Sequence, residues 1–305
     1  MDEQYDEEEI DLLKLVSTNA NDANQFIIFY GSNNELYAKN VSKIEELVIY
    51  KEIDIVRNED DSYVVGTGDI RGELTTIINF DKWVGNKPLQ EEEYELIIVA
   101  SYGGHRLGIV VKSVENIITI DSEDMSDNSS ANPKSTFMAK VKLYSKDKMV
   151  TIFDSDMMLS DIFPDVEEKS DSHMNMMAFK VNSKKVFMFA DDSKFIRTML
   201  EKLCHKLGLR YEIYENGLEL LTAVQKKNSK EIALIITDIE MPVMGGRELI
   251  EKVRNDSEYN HINIIVHTNM SNDIMKDELI RLGAQKIIGK VNMLSLAAAI
   301  EELVR

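Results

Sequence analysis

The sequence predicts two domains of different class: an all-β front part and an α/β back part, doubly wound around a five-stranded parallel sheet. Three observations carry that reading. Between Phe26 and Ile152, short β-rich runs follow one another with few helical stretches between them. From Lys185 onward, strand-like and helix-like runs alternate strictly. In that second part, four apolar runs stop at polar residues, namely Asp191–Asp192, Asp238, Thr268 and Lys290. Strands that end at acid, acid, hydroxyl and amine point to one site at the carboxyl ends of a parallel sheet.

Taken in order, residues 1–23 form an acidic leader that begins MDEQYDEEEIDLL. It lacks the basic start and apolar core of a signal peptide, and its composition reads as flexible. Residues 24–163 hold the β-rich runs FIIFY, LVIYK, SYVVG, LTTIINF, YELIIVASY, LGIVV, NIITI and MVTIF. Turn formers separate them, as at Asn33–Asn34, at Gly103–Gly104 and in SEDMSDNSSANP. Two helical patches interrupt, VSKIEEL near residue 41 and DKWVG near residue 81, and a third, DSDMMLSDIF, closes the segment. Residues 164–183 mix Pro, Ser, Asn and charges without a period and read as a linker, made stickier by Met174, Met176, Met177 and Phe179.

Residues 184–305 then run KVFMFA, SKFIRTMLEKLCHKLG, RYEIY, NGLELLTAVQKKN, IALIIT, GGRELIEKVRN, INIIVH, NDIMKDELIRLG, KIIGK and NMLSLAAAIEELV. Five strands alternate with five helices. Ser193 and Asn272 stand where N-caps belong, and Gly208 and Gly283 where helices end.

The chain has 305 residues, 44% hydrophobic and 29% charged, which suits a globular protein of two domains. No apolar stretch approaches the roughly 18 residues that cross a bilayer, so a cytoplasmic location without membrane insertion is expected. Its single cysteine, Cys204, excludes an intramolecular disulfide framework and a cysteine-based metal cluster. Within FIRTMLEKLCHKLG that cysteine reads as a small core residue. Residues 184–305 carry 18 basic and 18 acidic side chains, so residues 1–183 hold the whole formal charge of −19. An acidic chain of this kind repels phosphate backbones, which argues against a nucleic-acid partner.

The chemistry lies in the back part. Clustered carboxylates repel one another and are seldom gathered without a cation. Hard oxygen donors with room for water suit Mg²⁺. With the charge of a transferring phosphoryl group neutralised, a carboxylate can attack it. Asp238 is the best nucleophile: it is single, central and followed by the tight turn MPVMGG. Lys290 offers a fixed positive charge for a phosphoryl oxygen, and Thr268 a hydroxyl that can swing toward it.

These positions resemble the response-regulator receiver domain, of the CheY-like kind. That family places an acidic pair after its first strand, a phosphoacceptor Asp and M-P-x-M-x-G after the third, Thr or Ser after the fourth and Lys after the fifth. The matching residues are Asp191, Asp192, Asp238, Met241–Gly245, Thr268 and Lys290. Asp238 precedes Thr268 by 30 residues and Lys290 by 52, which fits that family closely. The resemblance implies phosphoryl transfer from a histidine kinase to Asp238, with Mg²⁺ held by Asp191, Asp192, Asp238 and the backbone carbonyl of Glu240. Three positions depart from the pattern: Asn269 where Ala is usual, Val291 where Pro is common, and Ile287 at the aromatic switch position. Glu240 and Met270 flank the path of an attacking water. A haloacid-dehalogenase phosphatase also uses a strand-end Asp, but it wants D-x-D where this chain has Asp238–Ile239–Glu240.

The front part has no comparable cluster; His105 and His173 stand alone. YVVGTGDIRGELTTIINFDKWVG and LIIVASYGGHRLGIVVKSVENIITI are similar to the two halves of CheW-like coupling domains, whose fold is two small five-stranded barrels. In such domains the strands around R-G face a receptor tip or the kinase. Two readings stand for Arg71, a guanidinium that forks onto a partner carboxylate and a surface residue that braces its own turn. Trp83 reads as a core residue under its helix rather than an interface anchor.

A CheW-like domain followed by a receiver domain is the order of the CheV-type chemotaxis coupling proteins. The resemblance implies an adaptor that joins chemoreceptor cytoplasmic tips to the histidine kinase CheA, with CheW as a further candidate partner, at membrane-associated arrays. Phosphorylation of Asp238 would modulate it. The chain would not turn over an external substrate. Two alternatives remain open at this stage, a phosphate sink for the kinase and a pure scaffold whose receiver is idle.

Overall fold

The computed structural model describes residues 25–59, 62–102, 105–121, 124–127, 134–164, 180–269, 273–290 and 292–304. The acidic leader, most of the linker with its Met174, Met176, Met177 and Phe179, the turn Gly103–Gly104, and Met270, Asn272 and Val291 lie outside the described residues. The chain divides into two compact units, Met1–Asp154 and Ser155–Arg305.

Among the described residues, the first unit is all-β apart from one short α-helix and short 3₁₀ turns. Its strands are β1 (Gln25–Tyr30), β2 (Leu36–Asn40), β3 (Ile44–Ile49), β4 (Ile55–Arg57), β5 (Val64–Ile70), β6 (Glu73–Asn79), β7 (Leu96–Tyr102), β8 (His105–Val111), β9 (Ser113–Thr119), β10 (Met125–Asp127), β11 (Ser135–Leu143) and β12 (Lys146–Phe153). Helix α1 (Phe80–Val84) follows β6. The strands make two sheets, in the orders β10-β11-β12-β2-β1-β9 and β3-β7-β8-β6-β5-β4. Each sheet has six strands where the resemblance implied five, because a three-residue strand, β10 or β4, adds to one edge.

VSKIEEL also departs from its helical expectation. Only Val41–Lys43 form a 3₁₀ turn, and Ile44–Ile49 become β3, paired antiparallel with β7. Ladder bonds and burial of Ile44 and Leu47 outweigh a weak local helical period. Trp83 is fully buried, edge-on to Phe153 at 6.0 Å and tilted against Phe80 at 6.1 Å, so it is a core residue.

The second unit opens with helix α2 (Ser155–Ile162), which packs against α3 (Lys194–Leu207). The alternation of the sequence follows: β13 (Val186–Ala190), α3, β14 (Arg210–Tyr214), α4 (Gly217–Gln225), β15 (Ile232–Thr237), α5 (Gly246–Asn255), β16 (Ile264–His267), α6 (Asp273–Leu282), β17 (Lys286–Ile288) and α7 (Met293–Val304). All five strands are parallel, in the order β14-β13-β15-β16-β17.

Period-two alternation on β13 sorts the core. Val186, Met188 and Ala190 pack with α4, α5 and α6 on one face, and Phe187 and Phe189 with α3 and α7 on the other. Ser193 caps α3, its hydroxyl accepting from Ile196 N at 3.3 Å, and Gly208 ends it in the left-handed region. The order reverses direction beside β13, so the crevice opens where β13 and β15 end.

Candidate functional site

Asp191 and Asp192 follow β13, and Asp238 follows β15. Asp238 is tied to the neighbouring strand by its N–H, which donates to Ala190 O at 2.9 Å. One oxygen from each of the three carboxylates falls within 4.8 Å of the others. The loop that returns from β15 to α5 passes very close. A Cβ on Gly246 would stand 2.0 Å from the Asp238 carbonyl oxygen, so only glycine fits there. In the same loop Val243 takes φ 70°, a strained value for a β-branched residue.

Lys290 follows β17 and is 1% exposed. Its Nζ lies 2.8 Å from Asp238 Oδ2, 3.2 Å from Asp191 Oδ1 and 2.9 Å from Asp156 Oδ2. Burial opposes its charge, but Asp156, Asp191 and Asp238 outweigh that and hold its pKa well above the ordinary lysine value. Burial likewise lifts the Asp191 carboxyl well above the usual carboxylate range; Lys290 pulls it down, and Asp238, Asp192 and Asp156 push it up again. Asp238 Oδ1 accepts from Ile239 N at 2.7 Å and Asp191 Oδ1 from Ser193 N at 3.0 Å.

Thr268 follows β16, buried, with its N–H donating to Ile288 O at 2.9 Å. Glu240 sits two residues beyond Asp238, half-buried in the same loop. Ile287 is half-buried and packs against the core cluster of β15 and α5. The structure thus brings Asp191, Asp192, Asp238 and Lys290 together, with Thr268 and Glu240 on the adjoining loops.

Arg71 stands elsewhere, in the first unit. It and Gly72 form the tight turn between β5 and β6, with φ 54° and 85°, the signature of a type I′ hairpin. Its side chain is 76% exposed, and Nε meets Glu46 Oε2 at 2.7 Å.

Sequence reading passed over three residues of the site. Arg197, one turn into α3, donates from Nη1 to the carbonyl oxygens of Asp191 (3.0 Å) and Asp192 (2.9 Å) and from Nη2 to Glu215 (2.7 Å). It thereby holds the acid-pair loop; its i+6 spacing from Asp191 was the available signal. His267 is fully buried beside the cluster, and neither ring nitrogen has a hydrogen-bond partner among the described residues. Burial and the nearby Lys290 charge push its pKa down to about 4, so it is neutral at pH 7. Asp156 lies on α2, the helix that closes the front segment in the sequence, and its carboxylate enters this site.

Four carboxylates therefore gather around one ammonium group, short of positive charge. Three of them offer converging oxygens, a donor set that fits a small, hard divalent cation such as Mg²⁺. A strand-end carboxylate beside a fixed cation can act as a nucleophile toward an anionic phosphorus centre.

Residues 25–163 match the CheW-like domain family, and residues 187–301 the response regulator receiver domain family. Chemotaxis protein CheV2 of Helicobacter pylori is 27% identical over 303 residues, covering 94% of this chain and 96% of that protein. CheV1 of the same organism is 28% identical over 301 residues, covering 92% of each. Among solved structures, the scaffolding protein TtCheW from Thermoanaerobacter tengcongensis is 20% identical with a TM-score of 0.37, covering 43% of this chain and 84% of that one. CheY4 of Vibrio cholerae is 29% identical with a TM-score of 0.37, covering 40% of this chain and 99% of that one.

Proposed function

The chain belongs with the CheV-type chemotaxis proteins, a CheW-like domain followed by a receiver domain, and from that premise we propose that it couples chemoreceptors to the histidine kinase CheA under control of phosphorylation at Asp238. The observation that carries the control is the convergence of Asp191, Asp192 and Asp238 within 4.8 Å, with Lys290 Nζ 2.8 Å from Asp238 Oδ2.

In the transfer, an Asp238 carboxylate oxygen attacks the phosphorus of a phosphohistidine. The phosphorus–nitrogen bond breaks, a phosphorus–oxygen bond forms, and the freed imidazole keeps the electron pair. Lys290, fully protonated, stabilises a phosphoryl oxygen. Thr268 donates its hydroxyl to another. Asp191, Asp192, Asp238 and the Glu240 carbonyl would hold Mg²⁺, which when bound would neutralise charge on the transferring group. Arg197 keeps the backbone of the acid pair in place.

In the front domain, the exposed Arg71 turn is the proposed contact for the kinase or receptor tip. The ion pair joins the exposed Arg71 side chain to a Glu46 carboxylate that is only 15% exposed and that Arg106 also holds, so a carboxylate of a partner can take Arg71 without leaving Glu46 unpaired.

The test is incubation of the full-length chain with phosphorylated kinase or acetyl phosphate and Mg²⁺. A phosphoryl adduct on the peptide containing Asp238, absent in Asp238→Asn, is the expected result. Equal labelling of Asp238→Asn would refute the assignment. Weaker receptor and kinase capture by Arg71→Glu is expected, and unchanged capture would reject that contact.

A further inference from the structure

Asp156 is a carboxylate 134 residues away from Lys290 in the chain, and it is only 4% exposed. Two donors from the receiver loops hold it. Lys290 Nζ donates to Oδ2 at 2.9 Å, and Asn269 Nδ2 donates to Oδ1 at 3.0 Å. Asn269 is the residue directly after Thr268, and it stands where receiver domains usually carry alanine, which has no donor. Lys290 therefore divides its charge among Asp156, Asp191 and Asp238, and its bonded oxygens on Asp156 and Asp238 lie within about 6 Å of each other across the shared Nζ. Met158 and Leu159 on the same helix are buried, which anchors α2 beside α3.

We propose that the position of the phosphoryl oxygens in this site is also a binding site for a carboxylate carried by the chain itself, Asp156 of α2, which seats there in the unphosphorylated protein and is expelled when Asp238 is phosphorylated. This rests on the reading of Asp238 as phosphoacceptor and adds how the site is regulated.

The chemistry is competitive. A phosphoryl group on Asp238 brings two negative charges and three acceptor oxygens. Lys290 already pairs with three carboxylates, so a phosphoryl oxygen that bonds its Nζ competes with Asp156 for it. Like charges at this separation in a buried setting repel strongly. Seating of Asp156 and seating of the phosphoryl group each weaken the other by the same factor, as linkage demands. The consequence reaches along the backbone. α2 starts two residues after β12 and lies within the CheW-like match of residues 25–163, so release of α2 frees the last helix of that match.

The experiment uses full-length protein with acetyl phosphate and Mg²⁺, and it follows two readouts. One is the rate of adduct formation on Asp238. The other is hydrogen-exchange protection of the α2 amides Met158–Ile162. Asp156→Ala is expected to label about 10-fold faster than the parent, the scale of one charge-assisted hydrogen bond. Asn269→Ala, which leaves the helix sequence intact and removes one of the two donors, is expected to label faster by about 3-fold. Phosphorylation of the parent protein is expected to strip protection from α2, and Asp238→Asn treated identically is expected to keep it. Labelling of Asp238 at one rate in all three proteins, with α2 protection unchanged on phosphorylation, overturns the proposal while leaving Asp238 as phosphoacceptor. Absence of the adduct in every protein removes the phosphoacceptor reading, and the proposal falls with it.

Discussion

Acidification should destabilise the receiver domain through His267, and replacing that residue by leucine should remove the effect. The ring is buried, neutral, and held at a pKa of about 4 against an ordinary 6.5. Well above pH 6.5 neither the folded nor the unfolded chain protonates it, so it adds no pH dependence there. As pH falls from 6.5 toward 4, the unfolded chain takes up the proton and the folded chain does not, so stability falls with pH. Two and a half pKa steps at 1.36 kcal/mol each give a loss of about 3 kcal/mol across that window. Asp191 works in the opposite sense. Its raised pKa lets the folded chain bind a proton before the unfolded chain does, so it offsets part of the loss in the parent protein. The quantity to read is therefore the difference between parent and His267→Leu. Urea midpoints of the full-length chain, resolved on peptides from β15 and β16 at several pH values from 7 down to 4, supply it. The parent should lose about 3 kcal/mol more than the variant between pH 6.5 and 4. Parallel curves would refute the reasoning, because they would place the acid sensitivity in other groups.

Lys290→Met should cost roughly 3–5 kcal/mol, since Asp156, Asp191 and Asp238 lose their shared cation, and the loss should shrink as pH falls and the acids protonate; urea midpoints of β17 peptides at two pH values check both parts. Gly246→Ala should destabilise the receiver by more than about 2 kcal/mol and slow Asp238 labelling, because the added Cβ meets the Asp238 carbonyl at 2.0 Å; an unperturbed variant would mean that the loop has slack. Trp83→Ala should cost the front domain roughly 3–5 kcal/mol through the cavity left among Phe80 and Phe153, measured on peptides from β6 and β12.

The back domain was legible because local signals and global topology agree in it. Each polar site residue ends an apolar run, and a parallel sheet gathers the carboxyl ends of its strands on one side. Ser193 and Gly208 marked the limits of α3 for the same local reasons. The front domain was legible in class and less so in detail. β4 and β10 are three residues long, too short for alternation to show. VSKIEEL carried a helical spacing that pairing with β7 overrides. Two of its ladders, β12 with β2 and β6 with β8, are parallel and join distant segments, which no local pattern announces. Within the site, Arg197 was hidden because it holds the acid pair through backbone carbonyls rather than through the two carboxylates. Asp156 was hidden because its partners stand more than a hundred residues away, and a DSDMMLSDIF helix reads equally well as the end of one domain or the start of another.

The central claim is that a phosphoryl group on Asp238 changes how strongly this adaptor joins receptors to the kinase. CheA activity in assemblies reconstituted from receptor cytoplasmic tips, CheA and the full-length chain tests it most directly, measured before and after acetyl phosphate with Mg²⁺. The parent chain should recruit the kinase to receptors and change its activity on phosphorylation, while Asp238→Asn recruits equally and does not respond. Recruitment without any response in the parent, or the same response in Asp238→Asn, would contradict the account.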